Sequence, residues 1–121
     1  MVLVQSYEII HYSINDNFFL VRRDVTNLDK PENIGVQGCR NFHINPEPGI
    51  SLGAWHILPD DLVNHKDFVN DKDWFEKSLN FGQPIVIYFH GTNGTRAISY
   101  RVGLYKILQK LNYHVICCDY R

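Results

Sequence analysis

The residues best suited to chemistry lie in residues 84–96, where an apolar strand-like segment breaks into a loop of small and polar residues. Backbone N–H groups in such a loop can donate hydrogen bonds to the negative oxygen that forms during acyl transfer. Donors fixed in advance account for much of the rate in enzymes that use them. The loop begins at His90-Gly91, directly after residues 85–89. The pattern therefore predicts an oxyanion hole at the carboxyl end of a strand, where open α/β sheets place their ligands.

Two other interpretations of the same loop remain open. Gly91 and Gly94 permit a tight strand-to-helix turn by themselves, with His90 forming only a local hydrogen bond. A phosphate-binding loop fits less well, because the segment lacks the lysine and the spacing of a P-loop and does not match G-x-G-x-x-G. The loop thus favours an oxyanion hole over a nucleotide site.

A literal G-x-S-x-G motif at residues 49–53 places Ser51 in the position of a nucleophile. A nucleophile elbow needs a strand before the serine and a helix after it, because the sharp turn between them exposes the hydroxyl. Here a proline-containing turn precedes Ser51, a strand-like segment follows it, and the motif lies upstream of the oxyanion strand. We therefore predict that Ser51 is not a nucleophile. The remaining serines, Ser6, Ser13, Ser78 and Ser99, have no elbow either.

Five further histidines have no partner residue at a sequence spacing typical of a catalytic or metal site. Isolated histidines are more often structural or solvated than catalytic. They are His11, His43, His56, His65 and His114. The three cysteines include no C-x-x-C pair and no histidine at zinc-finger spacing, so we predict no metal site. Cys39 stands apart, while Cys117 and Cys118 fall in an apolar run and are expected to be core residues.

The composition limits the classes of partner. A net charge of −1 and scattered basic residues give no electrostatic support for nucleic-acid binding. The longest apolar run is a pentad, far below the roughly 20 residues that cross a bilayer, and the start of the chain is too polar for a signal peptide. Asn93-Gly94-Thr95 fits an N-glycosylation sequon, but a glycan would obstruct the loop, so we expect Asn93 to be unmodified.

The elements that must position the loop follow from patterning. Strands are predicted at residues 39–44, 50–58, 85–89 and 115–118. A short helix is predicted within the polar surface segment 60–83, with Asp71 or Asp73 as its cap. A longer helix is predicted from the spacing of Leu104, Ile107, Leu108 and Leu111, with Asn112 in the left-handed position that ends it. Strand, helix and strand form a βαβ unit, which predicts a parallel sheet with a right-handed connection.

Four separated segments resemble, in the same order, the α/β-hydrolase-domain lysophosphatidylserine lipases, also described as monoacylglycerol lipases. They read ISLGAWHILP, PIVIYFHGTNGTR, YRVGLYKIL and YHVICCDYR, and begin at residues 50, 84, 100 and 113. Residues 33–48 also resemble the segment that leads into that domain. The resemblance covers roughly residues 28–121, and its separated blocks make it more specific than the His-Gly loop alone.

The resemblance implies an α/β class and an incomplete α/β-hydrolase fold, made of the first strands of the sheet plus the first βαβ unit. Residues 1–28 would be an amino-terminal lead-in segment and residues 29–121 a partial hydrolase domain truncated before the nucleophile elbow. The implied activity is that of a serine carboxylic-ester hydrolase acting on lysophospholipids or monoacylglycerols, without metal or organic cofactor. The implied location is the endoplasmic reticulum membrane, with a lumenal catalytic domain and an anchoring helix outside this chain.

In the resemblance the oxyanion donor maps to the backbone N–H of Thr92, with His90 and Gly91 in the same loop. The family's nucleophile, acid and base have no counterpart here, so this chain alone is expected to be inactive. An alternative is a truncated, non-catalytic isoform that binds lipid or the full-length enzyme. The strand that leads into the elbow would pair with residues 85–89 and is also missing, which predicts an exposed apolar edge and self-association.

Overall fold

A computed structural model describes residues 2–5, 28–65, 71 and 73–120 of the chain. Its strands are β1 (Val2–Gln5), β2 (Cys39–Ile44), β3 (Leu52–Ile57), β4 (Ile85–Phe89) and β5 (His114–Cys118). Its helices are a 3-10 turn (Pro31–Ile34), α1 (Asp60–Val63), α2 (Trp74–Ser78) and α3 (Ser99–Lys110). These elements form a partial α/β fold, as predicted. The division into residues 1–28 and 29–121 stays a prediction.

The five strands form one sheet in the order β1-β4-β5-β3-β2. Strands β4 and β5 run parallel, with Ile87 opposite Ile116, and α3 connects them as the predicted βαβ unit. The expectation of a parallel sheet was wrong for the other half, because β3 is antiparallel to both β5 and β2. The β2–β3 pair is antiparallel because its connection is short, which suits a hairpin and excludes a parallel crossover.

Strand β1 was not predicted, and it changes the expected edge of the sheet. Its residues pair parallel with β4, from Val2 opposite Val86 to Gln5 opposite Phe89. The expectation that the outer edge of β4 is unpaired was therefore wrong, and β1 covers the edge on which the expected self-association depended. Residues 6–27, whose pattern had no clean period, lie outside the described residues.

The main core forms where α3 covers one face of the sheet. Trp55, Tyr88, Tyr105 and Val115 are buried there with other apolar side chains. Strand β4 buries Val86 and Tyr88 on this face, while Ile85, Ile87 and Phe89 on the other face are only half-buried. The apolar pattern of this strand predicted that both of its faces would be buried. Only one face of β4 is fully buried.

Helix α3 has the predicted location but a different buried face. Ile107 and Leu111 are 58% and 62% exposed, and Leu104 and Leu108 only border the core. The buried side chains are instead Arg101, Val102, Tyr105 and Gln109. The helix turns this way because its two long polar side chains find buried partners: Arg101 bonds the loop described below, and the Gln109 amide donates to the carbonyls of Gln37 and Leu58 at 2.9 and 2.7 Å. The left-handed Asn112 is confirmed, with φ of 61°.

The segment between β3 and β4 carries two short helices and is more than a surface excursion. Leu58, Leu62 and Trp74 form a second small buried cluster there. The Asp71 carboxylate accepts a hydrogen bond from the N–H of Asp73, the residue that precedes α2, at 2.9 Å. The hydrogen bond from the Lys77 side chain, followed by this bond, holds the pKa of Asp71 below its usual value.

Candidate functional site

The predicted oxyanion loop lies between β4 and α3, at the carboxyl ends of the parallel strands. His90, the first residue after β4, is buried at 5% exposure, whereas Thr92 and Asn93 are exposed. Within the described part of the chain, no group accepts a hydrogen bond from the Thr92 N–H. Gly94 has φ of +74°, and a Cβ there would lie 2.2 Å from Ile98 Cδ1. The loop therefore keeps an open donor on a backbone whose left-handed position favours glycine.

Asp119, directly after β5, anchors the loop through hydrogen bonds and an ion pair. Its carboxylate accepts a hydrogen bond from the Arg96 N–H at 2.7 Å, and its Oδ1 lies 3.1 Å from His90 Nε2. The Arg96 guanidinium also forms an ion pair with it. We call His90, Arg96 and Asp119 the loop clamp. Because β4 and β5 are neighbours, their ends bring these three residues together.

Arg96 is 2% exposed and reaches across the sheet from inside the loop. Its Nη2 donates to Asn41 Oδ1 at 2.9 Å, and its guanidinium lies 5.1 Å from the centre of the Trp55 ring. A Cβ on Gly53 would lie 2.8 Å from Arg96 Nη1, so the missing side chain makes room for the guanidinium. The second glycine of the literal G-x-S-x-G thus has a packing role.

Arg101 holds the other side of the loop from α3. The side chain is fully buried, and its two terminal nitrogens donate to the carbonyls of Asn93 and Thr95 at 2.7 and 2.8 Å. These bonds satisfy two carbonyls that no helix or sheet ladder pairs. Together with the loop clamp, Arg101 fixes the backbone on both sides of Gly94.

Sequence reasoning missed Arg96, Arg101 and Asp119. A signal existed for Asp119, because a carboxylate directly after one parallel strand lies beside whatever follows the neighbouring strand. No comparable signal identifies the arginines, since a charged residue in a helix or loop is normally solvated. Of the predicted residues, the structure brings together His90, Gly91 and Thr92.

Ser51 is exposed and lies just before β3. A strand follows it, so the strand-serine-helix order of an elbow is not present around it. This agrees with the prediction that Ser51 is not a nucleophile. The hairpin containing Ser51 lines an open cavity that includes none of the loop-clamp residues.

Two of the isolated histidines meet in the interior. His56 Nε2 lies 3.1 Å from His114 Nδ1, and both rings are buried. We call them the histidine pair. Burial lowers the pKa of His56 to about 3, with His114 and Arg40 acting in the same direction, and burial also lowers the pKa of His114. The pair is therefore neutral at ordinary pH.

The other candidates carry no ligand geometry. His65 stacks on Trp74, His43 is exposed on β2, and His11 lies outside the described residues. Across residues 28–65, 71 and 73–120, no three His, Cys, Asp or Glu side chains group so as to hold a metal ion. Cys117 and Cys118 are buried as predicted, and burial raises the pKa of Cys117 to about 12. Of the helices described, none is long and apolar enough to cross a membrane.

The chain is similar to several known proteins. It is 40% identical over 94 residues to the lysophosphatidylserine lipase ABHD12 of Danio rerio, which covers 78% of this chain and 24% of the relative. The protein of the same name from Xenopus tropicalis is 42% identical over 95 residues, with the same coverage of both chains. The chain is homologous to the lysophosphatidylserine lipases. The protein ABHD12B of Homo sapiens is also similar, at 38% identity over 99 residues, 80% of this chain and 26% of the relative.

The chain thus spans about a quarter of the length of the curated relatives it matches. No protein-family model matches it, and no solved structure matches it. The homology supports an origin among lipolytic hydrolases, and the family name implies the α/β-hydrolase arrangement for the partial fold described above.

Proposed function

We propose that this chain supplies the oxyanion-binding part of a serine hydrolase that cleaves acyl esters of lysophospholipids, such as lysophosphatidylserine, and of monoacylglycerols. The observation that carries the proposal is the homology to lysophosphatidylserine lipases. The Thr92 N–H supports it: Thr92 is an exposed residue of a clamped loop, and no acceptor for its N–H lies among the described residues. An oxyanion hole needs such an available donor, already in place. No cofactor is part of the proposal.

The loop would act through preorganisation. A tetrahedral intermediate carries its negative charge on the former carbonyl oxygen, and a fixed N–H lowers the energy of that charge without reorganising when it forms. Arg96 and Arg101 hold the loop through hydrogen bonds to Asp119 and to the Asn93 and Thr95 carbonyls. The Thr92 side chain has no part in this role, since the donor belongs to the main chain.

The donor can be tested with a pair of substitutions at one position, in the ester-hydrolysing product of the gene. Thr92→Pro removes the N–H, and the loss of one such donor lowers kcat by about 10²–10³-fold. Thr92→Ala keeps the N–H and is the matched control, which should retain nearly all activity. Equal activity of the two variants would contradict a donor role for Thr92.

Whether the gene product is a hydrolase is a separate question. The transcript should be read past the codon for Arg121, and the native protein captured from its source with an antibody against residues 28–121. Labelling of the captured protein by a fluorophosphonate, together with hydrolysis of lysophosphatidylserine, would support the proposal. A stop codon after Arg121 in a translated message would favour the alternative of a non-catalytic isoform that binds lipid or a longer enzyme.

We further propose that residues 1–121 alone do not hydrolyse esters, because no described serine has the setting of a nucleophile. The purified chain should show no turnover of a lysophospholipid or a p-nitrophenyl ester. Turnover that Ser51→Ala abolishes would overturn both this proposal and the exclusion of Ser51. A location at the endoplasmic reticulum membrane, with the loop on the lumenal side, is also proposed. Protease protection of the native protein in intact microsomes would test it.

A further inference from the structure

His90 is buried between two acceptors, one on each side of its ring. Its Nδ1 lies 2.6 Å from the carbonyl oxygen of Gly91, and its Nε2 lies 3.1 Å from Asp119 Oδ1. A carbonyl and a carboxylate oxygen accept hydrogen bonds and do not donate them. The shorter contact requires a proton on Nδ1, because two lone pairs repel at that distance. Nδ1 therefore carries a proton, which it donates to the Gly91 carbonyl.

The bond to Gly91 also determines the direction of the next N–H group. The Gly91 carbonyl and the Thr92 N–H belong to one planar trans peptide, so they point in opposite directions. Fixing the carbonyl toward the buried ring turns the N–H outward, toward the exposed side of the loop where Thr92 lies. A rotation of this peptide would bury the donor and present the carbonyl in its place.

We propose that His90 is a positioning residue that aims the Thr92 N–H outward through the Gly91 carbonyl. Its importance for catalysis rests on the proposed function, whereas the orientation of the peptide does not. Several groups hold the ring in place: Asp119 bonds Nε2 and is itself paired with Arg96, and Tyr120 stacks on the ring at 5.1 Å between ring centres. The Tyr120 hydroxyl also donates to the carbonyl of His90.

Two substitutions separate the two ends of the ring. The amide nitrogen of asparagine lies near the position of Nδ1, so His90→Asn keeps a donor for the Gly91 carbonyl. The amide nitrogen of glutamine lies near the position of Nε2, so His90→Gln keeps the contact with Asp119 and loses that donor. The variants are thus matched in chemistry and differ in which neighbour they retain.

The test is nuclear magnetic resonance of the 121-residue chain, labelled with ¹⁵N and ¹³C. The Gly91 carbonyl carbon and the Thr92 amide should shift in His90→Gln and stay near their original positions in His90→Asn. The Trp55 indole N–H, which donates to the Leu28 carbonyl at 2.8 Å, reports whether each variant is folded. Equal shifts in two folded variants would overturn the proposal.

The unaltered chain gives a second readout that a merely structural role would not produce. The ¹⁵N signals of the His90 ring should show a proton on Nδ1. A ring whose Nδ1 carries no proton would overturn the proposal even if both variants failed to fold. Neither readout uses enzymatic activity, so a positioned loop without fluorophosphonate labelling would contradict only the proposed function.

Discussion

The loop clamp and the histidine pair are two buried polar sites at opposite ends of the same parallel strands. The loop clamp surrounds His90 after the carboxyl end of β4 and includes a carboxylate and a guanidinium. The histidine pair contains His114 at the amino end of β5 and joins one imidazole to another. Histidine is therefore used in two ways: His90 belongs to a charged network at one end of the strands, and His114 belongs to a neutral contact at the other. We expect the functional site to be at the loop clamp, because that end of the strands contains the charged groups.

The largest effect is expected from Asp119→Ala, which removes the only carboxylate of the loop clamp. It leaves the buried Arg96 guanidinium without its ion partner, and such a loss costs about 3 kcal/mol of unfolding free energy. Urea denaturation of the variant and of the unaltered chain would measure this loss of unfolding free energy. The exposed pair of Arg40 and Glu76 provides the control, since Glu76→Ala should cost less than about 1 kcal/mol. Similar losses in the two variants would show that the loop clamp is not energetically special.

The histidine pair should make stability depend on pH in mild acid. His56 binds a proton in the unfolded chain near its ordinary pKa, but in the folded chain only near pH 3. The unfolded state therefore binds more protons below about pH 6.5, and stability falls as pH falls, by about 2 kcal/mol from about pH 6.5 to about pH 5. Urea denaturation at several pH values would measure the slope.

Two variants decide whether that pH dependence comes from the histidine pair. His56→Gln removes the titrating ring and should flatten the slope, while His43→Gln changes an exposed histidine and should leave it unchanged. A slope that persists in His56→Gln would mean that other groups dominate, and the contrast with the loop clamp would disappear.

Packing around the loop clamp is tested by two glycines. Gly53→Ala places a Cβ 2.8 Å from Arg96 Nη1 and should cost about 1.5 kcal/mol through a forced shift of the guanidinium. At Gly103, on α3, an added Cβ would have no neighbouring atom within 4 Å. Gly103→Ala should instead stabilise the chain by about 0.5–1 kcal/mol, because alanine favours a helix. Thermal unfolding should separate the two in sign. A neutral Gly53→Ala would mean that Arg96 has space to move.

The smallest effect is expected from Tyr120→Phe, which removes the hydroxyl that donates to the His90 carbonyl. One hydrogen bond contributes about 1 kcal/mol to stability. Tyr113→Phe, at a half-buried tyrosine before β5, is the control. A loss no greater than in this control would remove Tyr120 from the set of groups that hold His90.

Much of the sheet could be predicted from the sequence. Strand β4 was predicted at residues 85–89 and found there, because five consecutive apolar residues bounded by proline and a His-Gly loop leave few alternatives. The β2–β3 direction and strand β1 could not be predicted. Pairing is a property of two strands, and four residues at the start of the chain carry no periodic signal.

The candidate site divides in the same way. The His90–Gly91 loop was apparent because its glycines and its position after a strand are local features. The residues that hold it were not, since Asn41, Arg96 and Asp119 meet across 78 residues of sequence. The face of α3 was misjudged for a related reason: Arg101 and Gln109 are buried because carbonyls outside the helix accept their hydrogen bonds.

The sequence by itself determined four of the five described strands, where α3 ends, and that a small-residue loop follows β4. It also determined the resemblance to lysophosphatidylserine lipases, because ordered blocks of residue types are visible without coordinates. Only the tertiary structure decided which polar groups become partners, as in the loop clamp and the histidine pair. The physical reason is that a charge or an imidazole is stable in the interior only beside a partner, and the fold alone brings those partners together.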